Sequence, residues 1–424
     1  MKTIELAYGR SGLTIIVPDE ADVITSKFYP GLEDEAGAIL RALREPAGTT
    51  ALREQVRPGD AVVIVHSDLT RATPNARILP VILEELESAG VRRQDITLIN
   101  GLGTHRPQTA GEMRRLLGDF IVDNYRCLQH DAFNDELLVP LGTTALGNPV
   151  RINKHFLEAD MRILTGFIEP HFFAGFSGGP KGVLPALAGF ESVLSNHGWE
   201  MIGHPGASWG ICEGNPIWEE MREVALKAEP TFLLNVALNS RHEITAVFAG
   251  DILEAHRAGR EFVRRQSMAE ISAPYDIVIS SNSGYPLDQS LYQSVKGMSA
   301  AARAVREGGT IIMAAACEDG LPDHGLYAAL LAQANSPAEV LTLIEDAAQA
   351  QHDQWQVQIQ AQVQLKADVY VYSDGLSSEQ IRRALFKPCS DIEATLQALQ
   401  DQYGHGARLC VMPEGPQTVA FLKQ

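Results

Sequence analysis

Short apolar runs alternate with helical segments along this chain, and that alternation limits its fold more than any other feature. "DAVVIVHSDLT" (residues 60–70) reads as an apolar strand that breaks at Ser67-Asp68, and "ARILPVILEELESAG" follows with helical spacing and a closing glycine. "DITLINGLGTHRP" (95–107) repeats the plan, with a strand, a glycine-rich turn from Gly101 to His105, and a helix through "TAGEMRRLLG". A third strand, "MRILTGFIEPH", starts at Met161 and runs into "EPHFFAGFSGGPKGVLPALAGFESVLSNH", residues 169–197. Strands joined through helices pair in parallel, and ligands on such sheets sit beyond the carboxyl ends of the strands. The polar turns at Asp68–Arg71, His105 and His171 are therefore expected on one rim.

A second series begins after about residue 270. "YDIVISSNSGYP" reads as a strand and turn, and "QSLYQSVKGMSAAARAVREGG" as a helix stopped by Gly-Gly. "TIIMAAACEDG", "ADVYVYSDG" and "ARLCVMPEG" continue the rhythm, and the polar "RRQSMAEISAP" before the series reads as a hinge. With 424 residues the chain exceeds one comfortable core. The expected fold is α/β: two domains with mainly parallel sheets and flanking helices, and an active site in the cleft between them. Residues 1–270 are expected to form an N-terminal α/β domain and 275–405 a C-terminal Rossmann-like α/β domain. The segment 406–424 is expected to pack back on the N-terminal domain.

Composition removes several classes of function. A net charge of −18 argues against nucleic acid or an anionic membrane as partner, because both need basic patches. No apolar run approaches the roughly 20 residues of a membrane span. The opening "MKTIELAYGRSGLTIIVPDE" alternates like a strand pair and lacks the apolar core of a signal peptide, so a cytoplasmic location is expected. The five cysteines (Cys127, Cys212, Cys317, Cys389 and Cys410) are scattered without a C-x-x-C pair, so they read as buried structural thiols. A metal, if one is bound, should take histidine ligands.

Ser177-Gly178-Gly179-Pro180-Lys181-Gly182 has the glycines of a phosphate loop, but neither the Walker A spacing nor a Ser or Thr after the lysine. Taken alone it is equally a plain glycine-rich turn. His171 opens a loop at a strand end, His105 holds the matching place at another, and His197 follows a helical segment. Imidazole ligates borderline metals or shuttles protons near neutral pH, although a single histidine is as often a core residue. His66, His242, His256, His352 and His405 read as structural or solvated. Asp68 and Arg71 offer an acid at a strand end and a guanidinium fork suited to a carboxylate, or else a local ion pair in a surface turn. Tyr292, Gln293 and Lys296 lie on the first helix of the second series, where an ordinary exposed helix face is the plainer reading.

Together, "SDLTRATPN", "GLGTHRP", "EPHFFAGFSGGPKG", "LSNHG" and "LYQSVKG" resemble the lactate racemase family in order and spacing, from about residue 67 to 297. The resemblance implies a nickel-pincer nucleotide of the pyridinium-3,5-bisthiocarboxylic acid mononucleotide type, made by separate cofactor biosynthesis proteins. It implies that Lys181 holds this cofactor covalently through a thioamide. His197 would complete the nickel's coordination beside the pincer's sulfur, carbon and sulfur. His105 and His171 are similar to the family's acid/base pair. Arg71, Gln293 and Lys296 match positions that bind the substrate carboxylate and its surroundings, and Asp68 and Tyr292 match supporting positions that bind the cofactor. Ser177, Gly178 and Gly179 are expected near the nucleotide phosphate, on the chemistry of glycine loops. One departure is visible: Ala72 follows the arginine where family members often carry proline.

The implied reaction is racemisation or epimerisation at C2 of a 2-hydroxy acid such as lactate. Proton removal from C2 beside a carboxylate would demand an unusually strong electrophile, whereas hydride removal avoids the dianion. One histidine would take the hydroxyl proton while the hydride passes to the cofactor, giving a planar 2-oxo acid. Two bases suit two enantiomers. Larger substrates (malate, aromatic or sugar acids) are the alternative within the family. A nicotinamide-dependent dehydrogenase is the runner-up outside it, although "GLGTHR" lacks the third glycine of the dinucleotide fingerprint. A non-catalytic carrier would need no paired bases.

Overall fold

A computed structural model describes residues 1–322, 325–345, 350–404 and 406–423; His405 lies outside the described residues. The chain divides into two compact units. The first comprises Phe28–His197 and His204–Arg265, and the second Met1–Lys27, Gly198–Gly203 and Gln266–Gln424. Among the described residues no helix is long and apolar enough to cross a membrane.

In the first unit a six-stranded sheet runs in the order Ile244–Gly250, Phe232–Leu238, Met161–Phe167, Val62–His66, Ile96–Asn100, Arg126–Gln129. Only Ile244–Gly250 is antiparallel to its neighbour. All five residues of Val62–His66 are buried, as a central parallel strand covered on both faces requires. Val62, Ile64, Ile96 and Leu98 pack with Ile78, Leu79 and Ile82 of the helix Asn75–Ser88 in one apolar core. From Val62–His66 the chain steps outward through Ile96–Asn100 to Arg126–Gln129, then returns to the other side at Met161–Phe167. The strand order reverses between Val62–His66 and Met161–Phe167, and a crevice opens at such a switch point beyond the carboxyl ends. The Asp68 turn and the His171 segment leave those two strands.

The second unit holds an all-parallel sheet in the order Lys387–Pro388, Ala367–Tyr372, Val305–Ala314, Tyr275–Ser281, Leu409–Met412, Asp22–Val23. The opening residues form the expected strand pair, Lys2–Leu6 against Leu13–Val17. Its inward residues Ile4, Leu6, Ile15 and Val17 share a core with Ile277, Ile279, Ile312 and Leu396.

The division departs from the expected boundaries in three places. Residues 1–27 join the second unit, because their alternating face is buried there and Asp22–Val23 extends its sheet. The segment expected at 406–424 to pack back on the N-terminal domain supplies an inner strand of the second sheet, and Val419–Leu422 pairs with Met268–Ile271. That pairing makes part of the expected hinge a strand. Residues 198–203 also belong with the second unit, where Gln358 Nε2–H donates to Trp199 O at 2.9 Å. The Gly-Gly expected to stop a helix lies inside the strand Val305–Ala314, after a helix that ends at Ala302.

Candidate active site

The turn after Val62–His66 closes on its own acid. Asp68 is buried, and its Oδ1 accepts the Thr70 backbone N–H at 2.9 Å and the Thr70 hydroxyl at 2.6 Å. Its Oδ2 lies 2.5 Å from His105 Nδ1. Burial alone would raise the carboxyl pKa, but His105, Arg71 and Thr70 hold it well below the usual carboxylate range. A carboxylate can only accept, so His105 carries its proton on Nδ1 and offers the Nε2 lone pair to the half-exposed side. Arg71 is half-buried in the same turn, its backbone N–H on Asp68 O at 3.2 Å. Gly103, at φ +57°, places His105 by donating its N–H to Ala186 O at 3.1 Å, which ties this turn to the segment just after Lys181.

The second cluster gathers around one aromatic ring. His171 sits in a two-residue bridge with Gly175, so the expected loop is closed by a short antiparallel pair. Its Nδ1 accepts the Ala174 N–H at 3.2 Å, and its Nε2 lies 3.1 Å from Lys181 Nζ. The Lys181 ammonium is a donor as well, so both nitrogens of His171 face donors, and the Nε2–H tautomer, opposite to that of His105, needs Lys181 to give up its charge. Phe173 packs edge-on to His171 at 4.5 Å and to His197 at 4.9 Å, and Lys181 Nζ stands 5.5 Å over its ring. Nothing in the sequence marked Phe173 beyond its place in "HFFAGF"; its role emerges from contacts with three residues spread over 26 positions.

His197 ends the helix Phe190–Asn196, and burial, aided by the nearby Lys181 charge, pushes its pKa down to about 3. It is a neutral nitrogen donor. The helix end is fixed by the buried carboxylate of Glu220, which accepts from Asn196 Nδ2 at 2.8 Å, Thr144 Oγ1 at 2.7 Å and Asn148 Nδ2 at 2.7 Å. Glu220 was not anticipated, since it lies 24 residues from Asn196 in an ordinary amphipathic helix.

Ser177, Gly178 and Gly179 are bound up with the protein itself. Ser177 N–H donates to Glu169 O at 2.9 Å and its hydroxyl to Phe167 O at 2.9 Å, while Gly179 N–H donates to Asn235 Oδ1 at 2.9 Å. Of the histidines set aside, His66 and His256 are buried, His352 is half-buried and His242 is exposed.

In the second unit Tyr292, Gln293 and Lys296 share the half-buried face of the helix Leu291–Ala302, capped by Ser290. Tyr292 meets Tyr327 edge-on at 5.3 Å, and Gln293 Oε1 has no hydrogen-bond partner among the described residues. Where the strands Tyr275–Ser281 and Leu409–Met412 end, the chain bonds to itself: Ala7 N–H donates to Pro413 O at 2.9 Å, and Ser281 Oγ–H to the same carbonyl at 2.7 Å. The first unit therefore brings Asp68, Arg71 and His105 together, and His171, Lys181 and His197 together, on adjacent strand ends.

Known proteins resemble this chain over nearly its whole length. Residues 8–210 match the lactate racemase N-terminal domain and 271–420 the lactate racemase C-terminal domain. The chain is 37% identical over 422 residues to a lactate racemase of Thermoanaerobacterium thermosaccharolyticum, covering 98% of both chains. It is 35% identical over 421 residues to one of Lactiplantibacillus plantarum, covering 98% of this chain and 99% of that one. The lactate racemase apoprotein structure from T. thermosaccharolyticum superposes with a TM-score of 0.92 at 36% identity, over 99% of this chain and 100% of that one. A Thermotoga maritima protein shares the fold at a TM-score of 0.71 and 18% identity, over 92% of this chain and 98% of that one.

Proposed function

The chain belongs to the lactate racemase family and is an isomerase of the racemase type, and from that premise we propose that it interconverts the enantiomers of lactate or a close 2-hydroxy acid on a nickel-pincer nucleotide tethered to Lys181. The residues present fit that group. No cluster of three or more His, Cys, Asp or Glu side chains suited to a metal occurs among the described residues. A nickel ion here must bring most of its own ligands, as a pincer does, and needs one neutral imidazole, which buried His197 offers. Lys181 stands beside His171, within reach of a tether. When bound, the group would supply the site that accepts and returns the C2 hydrogen with its electron pair.

The remaining work falls to side chains of this protein. His105 Nε2 is the base that takes the substrate hydroxyl proton, its tautomer set by Asp68. His171 Nε2–H is the acid that protonates the oxygen when the opposite enantiomer forms, its tautomer set by the Ala174 N–H once the tether has made Lys181 neutral. The reverse direction exchanges the two roles. Arg71 holds the substrate carboxylate so that only the other C2 substituents change places. Lys296, Gln293 and Tyr292, on a helix of the second unit, match the family's positions for substrate and cofactor contacts. The two histidines at adjacent strand ends, His105 held by Asp68 and His171 beside Lys181, carry this reading, since a dehydrogenase or a carrier has no use for the pair.

Protein produced with the cofactor-making proteins should gain covalent mass at Lys181, and Lys181→Ala should not. The loaded protein should carry deuterium from C2 of one lactate enantiomer to C2 of the other in ordinary water. Deuterium lost to solvent would replace hydride transfer with proton abstraction. Turnover of a larger 2-hydroxy acid in place of lactate would move the substrate assignment and leave the chemistry intact.

A further inference from the structure

We infer that Asn235 and His256 are positioning residues for Lys181: they clamp the Ser177–Lys181 loop from beneath, and the loop presents the lysine instead of cradling a phosphate. The inference rests on the reading of Lys181 as the attachment point and extends it to two residues that no motif contains.

An anion cradle needs successive backbone N–H groups turned toward the ligand. In this loop they are engaged elsewhere. Ser177 N–H donates to Glu169 O at 2.9 Å, Gly179 N–H to Asn235 Oδ1 at 2.9 Å, and Lys181 N–H to Gly178 O at 3.2 Å. Pro180 has no N–H to give. At most the Gly178 amide is left for an anion. The Ser177 hydroxyl is also occupied, donating to Phe167 O and accepting the Glu169 N–H, both at 2.9 Å. His256 closes the clamp: Ser177 O is a carbonyl, so the contact of 2.9 Å is His256 Nε2–H donating to it.

The glycines answer to the same two residues. A Cβ on Gly178 would lie 2.5 Å from Asn235 Oδ1, and one on Gly179 would lie 2.5 Å from His256 Cγ. Both also hold left-handed φ values, +75° and +52°. Their small size is thus required by close packing under the loop, whether or not a ligand lies above it. Asn235 and His256 are each 1% exposed and sit on rigid elements, the strand Phe232–Leu238 and the helix Ile252–Ser267. They fix residues 177–179, and the tight turn Gly179–Gly182 then carries Lys181 Nζ to its place beside His171 and over Phe173.

The test measures Lys181 in the full chain, before and after loading. In unloaded protein, acetylation of Lys181 by acetic anhydride is followed by peptide mass spectrometry, with half-buried Lys154 of the same unit as the internal standard. Asn235→Leu and His256→Leu should raise Lys181 labelling about fivefold, the equivalent of one net hydrogen bond, with Lys154 unchanged. In the same variants covalent loading at Lys181 should slow by on the order of tenfold or more. His256→Gln, which keeps the donor to Ser177 O, should restore both rates. Unchanged Lys181 labelling in the folded leucine variants would overturn the clamp. Protection of Lys181 by inorganic phosphate would overturn it too, by placing an anion on the loop. If the leucine variants do not fold, His256→Asn, whose amide falls short of Ser177 O, is compared with His256→Gln; equal labelling in the two refutes the proposal. Failure of the parent to gain mass at Lys181 would refute the attachment reading alone, because the labelling arm needs no cofactor.

Discussion

A histidine acts as a base at a chosen nitrogen only when something fixes its tautomer, and at His105 that something is Asp68. The carboxylate accepts from Nδ1, Thr70 holds the carboxylate from the other side, and the pair is buried on the acid's side. Asp68→Asn keeps the shape and the Thr70 contacts but can turn an N–H toward His105 Nδ1, which moves the ring proton to Nε2 and removes the base. Racemisation should fall by about 10²- to 10⁴-fold, as for other bases deprived of their orienting carboxylate. Covalent loading at Lys181 should be unchanged, because the tethering lysine belongs to the other cluster. Racemisation assays alongside intact-mass analysis separate the two; loss of loading in Asp68→Asn would show instead that the substitution disturbs the whole rim.

The helix Phe190–Asn196 is only seven residues long and its N-terminus has no side-chain cap, so its end needs support from outside. Glu220 gives that support with three neutral donors and, among the described residues, no cation in its hydrogen bonds. Glu220→Ala strands those donors and should destabilise the first unit by about 3 kcal/mol, with Glu220→Gln costing less because it keeps one acceptor. Urea denaturation measures both; a cost below about 1 kcal/mol for the alanine variant would show that the donors find other partners. This network also marks what the sequence could not reveal. The strands and most helices were legible from their period, and His105, His171, Lys181 and His197 from motifs whose spacing is local. Glu220, Asn235 and His256 act through partners 24 to 79 residues away, and Phe173 joins two near neighbours to His197, so only the folded chain brings them together. The Gly-Gly after Arg306 misled for a related reason: glycine ends a helix in most contexts, but Gly308 lies within a strand at φ +66°.

Across the whole molecule, period tells which face of a segment is apolar but not which core receives it, so residues 1–27 could be read as a strand pair and still be placed with the wrong domain. Burial of charge-capable groups is another property of the assembled chain, and it sets the acid response. Burial pushes the pKa values of His66, His197 and His256 down to about 4, 3 and 3 from 6.5. All three lie in the first unit. With the folded pKa below the unfolded one, the unfolded chain binds these protons first. Their contribution to stability is therefore complete above about pH 6.5 and is lost as pH falls from there toward 3 to 4. Asp68 acts with the same sign, but only below the ordinary carboxylate range. In unloaded protein, the free energy of opening the first unit should fall by about 1.4 kcal/mol per pH unit for each histidine titrating. Hydrogen exchange in the strand Val62–His66, measured from pH 7 to pH 4.5, should show a slope of about three protons or more, since His130, His155 and His242 of the same unit are shifted in the same direction. His256→Gln, which keeps the donor to Ser177 O and cannot titrate, should lower that slope by one. A slope unchanged by this substitution would mean that His256 is already protonated in the folded chain, and a charge would then sit beneath the loop that presents Lys181.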